Sequence, residues 1–236
     1  MGNTIPAPAW LPPGRRVYAI GDVHGCLGRL VALHARIAAD LAERPVERPL
    51  IVHVGDYVDR GPDSAGVVRH LLQGFSGVEV VNLMGNHEHM MLDALDVADP
   101  GAFDHWMRNG GRASLRSWEV PNGAAQDGLR EMIPAEHLRF LRRLALHHRE
   151  GGYLFVHAGI RPGVPIEDQS SLDLMWIREP FLSWTGDHGA VVVHGHTPME
   201  GPVVKSNRIG IDTGAVLGGP LTCAVLELDR VEFLFA

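Results

Sequence analysis

The stretch Leu50–Gly61 reads LIVHVGDYVDRG. It opens with Leu50, Ile51, Val52 and Val54, a run dense in β-branched residues that reads as a buried strand. It stops at Gly55 and then delivers Asp56, Asp59 and Arg60 before Gly61 and Pro62 close a turn. A hydrophobic strand ending in two acids and an arginine puts metal ligands and a phosphate-binding fork at the carboxyl edge of a sheet. Open α/β folds place their sites there. Taken alone, the same residues also describe a capped strand end with a solvated acid pair.

Two further segments repeat the design. Val17–Cys26 reads VYAIGDVHGC, a strand, a glycine, then Asp22 and His24. Val78–Glu88 reads VEVVNLMGNHE, a strand, a glycine, then Asn86, His87 and Glu88. With GDVHG, GDYVDRG and GNHE in this order, the chain resembles the calcineurin-like metallophosphoesterases. Within them it is similar to the bacterial branch of the serine/threonine phosphoprotein phosphatases. With the later motifs the resemblance spans roughly Val17 to Leu226. It implies an α/β fold, a four-layer sandwich of two mixed β-sheets flanked by helices.

Composition agrees with a folded enzyme and excludes several classes. The chain has 236 residues, 45% of them hydrophobic, enough for one large domain with a sizeable core. We expect a flexible N-terminal arm over residues 1–14 and a single catalytic domain over 15–236. A net charge of −7 gives no support for a nucleic-acid partner. Lys205 is the sole lysine, so no GxxxxGK phosphate loop exists and arginine is left for oxyanion binding. Cys26 and Cys223 cannot build a disulfide framework, and neither starts a C-x5-R phosphatase loop. The proline-rich opening lacks the apolar core of a signal peptide, and no apolar run is long enough for a membrane span. We expect a cytoplasmic protein with no membrane partner.

Periodicity sketches the rest. Apolar positions predict helices over Leu27–Leu41 and Pro62–Phe75 between the motif-bearing strands, giving right-handed crossovers in a parallel sheet. His34 on the first helix reads as a packed or surface histidine. Another helix opens at Glu88. Residues 100–128 read as short helices and loops over the site, with Asn109 either near substrate or merely in a turn. Pro134 to His147 reads as a helix, and Tyr153–Val156 as a strand ending in His157. Residues 162–189 form a long excursion bearing Trp176 and Arg178. The strand Ala190–Val193 ends in His194-Gly195-His196. Strand patterns near Arg208–Ile211, Thr222–Leu228 and Val231–Phe235 suggest a second, more antiparallel sheet.

The resemblance assigns roles. It implies two divalent ions, Asp22, His24 and Asp56 holding the first, and Asp56 bridging to a second completed by Asn86, His157 and His196. A carboxylate, amide and imidazole set without thiolate suits Mn²⁺ first, with Fe or Zn²⁺ as alternatives. Many metallophosphoesterases end this motif in Gly-His-x-His, but here Pro198 stands last and cannot ligate. His194, in opposite strand phase, reads as packing. His87 becomes the general acid, with Asp59 hydrogen-bonded to its imidazole. Arg60 and Arg178 become the clamp on the phosphoryl oxygens. Glu88 stays unassigned, as a helix cap or a support for a ligand.

The implied activity is hydrolysis of phosphomonoesters, with phosphoserine or phosphothreonine in a protein or peptide as substrate. Metal-bound hydroxide would attack phosphorus while His87 protonates the leaving oxygen. One alternative is hydrolysis of diadenosine tetraphosphate. Bacterial hydrolases of that type share GDVHGC and a stretch like Ile211-Asp212-Thr213-Gly214, but typically carry GNHD and lack the acid of VDRG. A second alternative is a non-catalytic scaffold on a phosphatase fold.

Overall fold

The computed structural model describes residues 4–96 and 99–236. Three consecutive parallel strands carry the motifs that open the chain. They are β2 (Arg15–Ile20), β3 (Arg48–His53) and β4 (Glu79–Asn82), following the short β1 (Ile5–Pro6). Helices α1 (Leu27–Glu43) and α2 (Ser64–Leu72) make the crossovers. Along α1, Leu30, Leu33, His34 and Ile37 are buried, a spacing that puts all four on one helical face. Asp63 caps α2 by accepting a hydrogen bond from the Gly66 amide at 2.7 Å.

Helix α3 (Asn86–Asp96) begins inside the third motif. Helices α4 (Pro100–Trp106) and α5 (Arg112–Ser117) follow, joined by one wide helical turn over Met107–Gly111. Then come α6 (Leu129–Met132), α7 (Ala135–Leu141), β5 (His147–Glu150), β6 (Tyr153–Val156) and α8 (Ser171–Trp176). The chain closes with β7 (Val191–His194), β8 (Val203–Val204), β9 (Arg208–Gly210), β10 (Thr222–Glu227) and β11 (Arg230–Phe235).

Two mixed sheets result, in the orders β1-β11-β10-β2-β3-β4 and β5-β6-β7-β9-β8. Strand alternation builds the layers. Tyr18, Ile20 and Ile51 point to the helical side, where they pack with Leu30, Leu33, Ile37 and Val67. Val17, Ala19, Leu50 and Val52 point the other way, onto Phe155, Val193 and Ile209 of the second sheet. The outer face of that sheet, through Leu154, Val156 and Val192, meets Leu174, Ile177 and Phe181. The order is helices, sheet, sheet, helix and loop. Among the described residues no helix is long and apolar enough to cross a membrane.

The structure corrects three expectations. Residues 5–14 are not a flexible arm. Ile5 and Pro6 pair with β11, the Ala7 and Leu11 amides bond to the Asp229 and Leu228 carbonyls, and Leu11 is fully buried. Residues 1–3 of the expected arm lie outside the described residues. The helix expected to run to His147 stops at Leu141, and His147–Glu150 instead pairs antiparallel with β6. Strands β10 and β11 do not form a second antiparallel sheet with β9. They extend the first sheet, β10 antiparallel to β2 and β11 antiparallel to β10, while β9 runs parallel to β7.

Candidate active site

Parallel strands leave their carboxyl ends on one side. The exits of β2, β3 and β4 present Asp22 and His24, then Asp56, Asp59 and Arg60, then Asn86, His87 and Glu88. The second sheet faces them with His157 after β6, His196 after β7 and Asp212 after β9. Tight turns make this convergence possible. His24, Asp56, Asp59, Arg60 and His196 all have left-handed backbones, with φ between 43° and 70°. Non-glycine residues adopt that conformation only where surrounding contacts over-determine it, and such strain concentrates at functional sites. Two glycines allow the close approach. A Cβ on Gly195 would lie 1.9 Å from Asp22 Oδ1, and one on Gly85 would lie 2.2 Å from Asp56 Oδ1.

The donor atoms form two adjoining groups that share Asp56. On one side His24 Nε2 lies 3.4 Å from Asp56 Oδ2, with His24 Nδ1 fixed on the Val58 carbonyl at 2.9 Å. On the other side Asn86 Oδ1 lies 2.9 Å from both His157 Nε2 and His196 Nδ1. His157 Nε2 is 3.4 Å from Asp56 Oδ1, and its Nδ1 is fixed on the Val54 carbonyl. Asp22 Oδ2 accepts from the His196 amide at 3.0 Å, which ties the β2 exit to the loop after β7 and leaves Oδ1 unpartnered. All six side chains are buried.

Beside them stands a second constellation. His87 Nδ1 is 2.7 Å from Asp59 Oδ2, and the His87 amide donates to Asp56 Oδ1 at 3.0 Å. Asp59 is fully buried and its oxygens are saturated. Ser114 Oγ donates to Oδ1 at 2.6 Å, and Trp106 Nε1 reaches Oδ1 and Oδ2 at 2.9 and 3.1 Å. The imidazole orientation is therefore set by α4 and α5, which lie over the site.

A family model described as calcineurin-like phosphoesterase matches residues 15–234. The chain belongs to the calcineurin-like phosphoesterases. It is 31% identical to serine/threonine-protein phosphatase 1 of Salmonella typhimurium, over 90% of this chain and 93% of that protein. It is 26% identical to the asymmetrical bis(5'-nucleosyl)-tetraphosphatase PrpE of Halalkalibacterium halodurans, over 91% of each. A crystal structure of a proposed diadenosine tetraphosphatase superposes with TM-score 0.68 at 24% identity, covering 97% of this chain and 98% of that one.

As a calcineurin-like phosphoesterase the chain belongs to a dinuclear metal-dependent family, and its donor set fits two ions. Ligand atoms about 2.0–2.2 Å from one ion lie about 3 Å from each other, the spacing seen around Asn86 and Asp56. Asp22 Oδ1 and His196 Nε2 are buried without any partner. Burial lowers His24 to about 3 and His196 to about 3, which leaves both imidazoles neutral with lone pairs to give. Burial, together with the charges of Asp212 and Asp56, pushes Asp22 well above the usual carboxylate range. Burial also opposes the charge on Asp56, but His157 and His87 outweigh it and hold that carboxylate well below its ordinary value. Asp22, Asp56 and Asp212 crowd beside the neutral His24 and His196, which leaves that part of the site short of positive charge. The Arg60 guanidinium already supplies some, at 2.9 Å from His24 Nε2.

Arg60 and Arg178 are both exposed at the mouth, and the Arg178 charge is felt at His196. Trp176 lies edge-on to His196, with ring centroids 6.3 Å apart. It forms one wall of an apolar recess of about 380 Å³ with His105, Met90 and Leu172. Asn109 turns its amide back onto the His105 carbonyl, a local turn contact. His194 faces away, its Nε2 toward Arg208 and its ring against Phe181.

Two functional residues were not assigned from sequence. Glu88 accepts four amides, those of Asp56 and Gly85 on Oε2 and of Tyr57 and Val58 on Oε1, at 2.7 to 3.1 Å. It holds the β3 and β4 exit loops together, and no local pattern announces a side chain that reaches back thirty residues. Asp212 is buried where its charge acts on Asp22, with one oxygen on the Gly214 amide. Its place in the Ile211-Asp212-Thr213-Gly214 stretch was the only available signal.

Proposed function

We propose that this protein hydrolyses phosphomonoesters, with phosphoserine and phosphothreonine in proteins as its substrates. Asp22, His24 and Asp56 would hold one ion, and Asp56, Asn86, His157 and His196 the other, Mn²⁺ being the first candidate. When bound, such ions acidify water and neutralise phosphoryl oxygens. The chain's own groups do the rest. Arg60 and Arg178 orient the phosphate and balance its charge. Asp59 accepts from Nδ1–H of His87 and orients the ring, so that in the imidazolium form Nε2–H points its proton at the departing oxygen. Two reduced cysteines fit a cytoplasmic setting.

The Asp59–His87 contact at 2.7 Å carries this reading. A poor leaving group such as a serine alkoxide needs a proton as its bond to phosphorus breaks, and this pair is built to deliver one. The 31% identity to a serine/threonine-protein phosphatase supports the substrate class. A dinucleoside polyphosphate reading draws on the 26% identical tetraphosphatase. It needs surfaces on which adenines stack; Trp106 and Trp118 of the covering segment are buried, and the half-buried Trp176 beside His196 offers a single ring.

The test is His87→Asn. The variant should lose roughly 10²–10⁴-fold in kcat on phosphoserine peptides and much less on p-nitrophenyl phosphate, whose leaving group needs little protonation. His87 also lies within ligand distance of His24 and Asp56. Metal analysis of the variant therefore separates the roles: unchanged content supports the acid, and loss of one ion makes His87 a ligand. Equal losses on both substrates would refute the general-acid role.

A further inference from the structure

The cover over the site has an outer face that the chemistry does not use. Arg108, Arg112 and Arg116 recur every four residues along the wide turn and α5, and all three are exposed. Among the described residues none of them makes an ion pair or side-chain hydrogen bond. By contrast Arg15, Arg16, Arg44, Arg142 and Arg161 each meet a carboxylate. Arg112 and Arg116 rim a groove of about 250 Å³ floored by Phe103, Met107, Leu115 and Val120. A basic rim above an apolar floor fits acidic side chains flanking an apolar one.

The groove is joined to the catalytic mouth by backbone. The Arg60 amide donates to the Gly110 carbonyl at 3.3 Å. Gly110 has φ 112°, and a Cβ there would come within 2.8 Å of the Arg60 nitrogen, so only glycine lets the cover seat on that loop. Inward, α5 sends Ser114 to Asp59 and Ser117 to the Ala65 amide at 2.8 Å. One short helix thus supports the Asp59–His87 pair on one face and carries two of the three arginines on the other.

We propose that Arg112 and Arg116, with the groove they rim and Arg108 on the turn before them, form a docking surface for an acidic stretch of polypeptide flanking the phosphorylated residue. The proposal extends the phosphoprotein reading to the class of sequence the enzyme selects. Single-stranded nucleic acid is the weaker occupant, because its binding relies on exposed aromatic platforms and Trp106 and Trp118 are buried here.

The experiment measures binding separately from turnover. Fluorescence anisotropy follows a short labelled peptide, unphosphorylated, of glutamates around a single leucine, with wild type and with Arg112→Glu/Arg116→Glu. Wild type should bind with an affinity that falls as salt rises, and the variant at least about tenfold more weakly. A thermal melt checks folding, and Arg112→Gln/Arg116→Gln replaces the variant if charge reversal unfolds it. Equal affinities, or no binding by wild type at low salt, would overturn the proposal. So would tighter, ridge-dependent binding of an oligonucleotide of equal charge. A second arm compares kcat/KM on phosphoserine peptides with acidic and neutral flanks, where the wild-type preference should vanish in the variant. If the acidic peptide binds through the ridge but no phosphopeptide is cleaved, the docking surface stands and the phosphoprotein reading falls.

Discussion

Replacing Glu88 by glutamine removes one oxygen from a carboxylate that accepts four buried amides. The amide keeps one acceptor, which can serve two of them. Its NH₂ then faces the other two N–H groups, donor against donor, with no water to intervene because Glu88 is fully buried. Two charge-assisted hydrogen bonds at about 1.5–3 kcal/mol each are lost, so the cost is roughly 3–6 kcal/mol. For a domain of this size each kcal/mol moves the melting temperature by about 2–4 °C, which predicts a fall of roughly 6–24 °C. Burial and the Asp56 charge push Glu88 up to about 7, so the melt belongs at about pH 8, where wild type is ionised. The damage centres on the loop that carries Asp56, so affinity for Mn²⁺ should fall in parallel. A shift under about 3 °C with unchanged metal affinity would refute the claim that Glu88 splints the two exit loops.

Two further outcomes rest on buried groups away from the ligands. His70, His34 and His53 form a hydrogen-bonded chain between α2, α1 and β3, with contacts of 2.9 and 3.0 Å. Burial lowers His34 to about 4 and, with the His34 charge, holds His53 well below its usual value. The unfolded chain then binds more protons below about pH 6.5, so stability is complete above that pH and lost as pH falls. Urea unfolding in chelator should show at least about 3 kcal/mol lost between pH 6.5 and 5 from these two residues, and a flat profile would contradict the chain's neutrality. Trp106→Phe deletes the indole N–H that grips Asp59. It should lower kcat on phosphopeptides by roughly tenfold, about 1.4 kcal/mol, with little effect on p-nitrophenyl phosphate; equal effects on both would remove Trp106 from the support of His87.

What could be read in sequence followed the strength of local patterning. The exits of β2, β3, β4 and β7 were legible because each apolar run is cut by glycine and followed at once by its polar group, and β6 because its apolar run ends directly in His157. Polar edges were not. His147–Glu150 is an edge strand of alternating exposure without an apolar residue, and the leucines before it extend the helical pattern that stops at Leu141. The N-terminal segment looked unstructured because prolines interrupt any period, yet its backbone pairs with β11 and Tyr153 Oη donates to the Ala9 carbonyl. Placement of β10 beside β2, with β11 outside it, is a long-range choice that hairpin spacing does not encode. Glu88 and Asp212 stayed hidden for the same reason: their roles depend on partners that only the closed sheet edge brings near.

The substrate that decides the proposed function of this site is a phosphomonoester on a protein. The most direct measurement is kcat/KM, in Mn²⁺ and under identical conditions, for a phosphoserine or phosphothreonine peptide and for diadenosine tetraphosphate. We predict the higher value on the phosphopeptide; efficient cleavage of diadenosine tetraphosphate with negligible phosphopeptide turnover would contradict it.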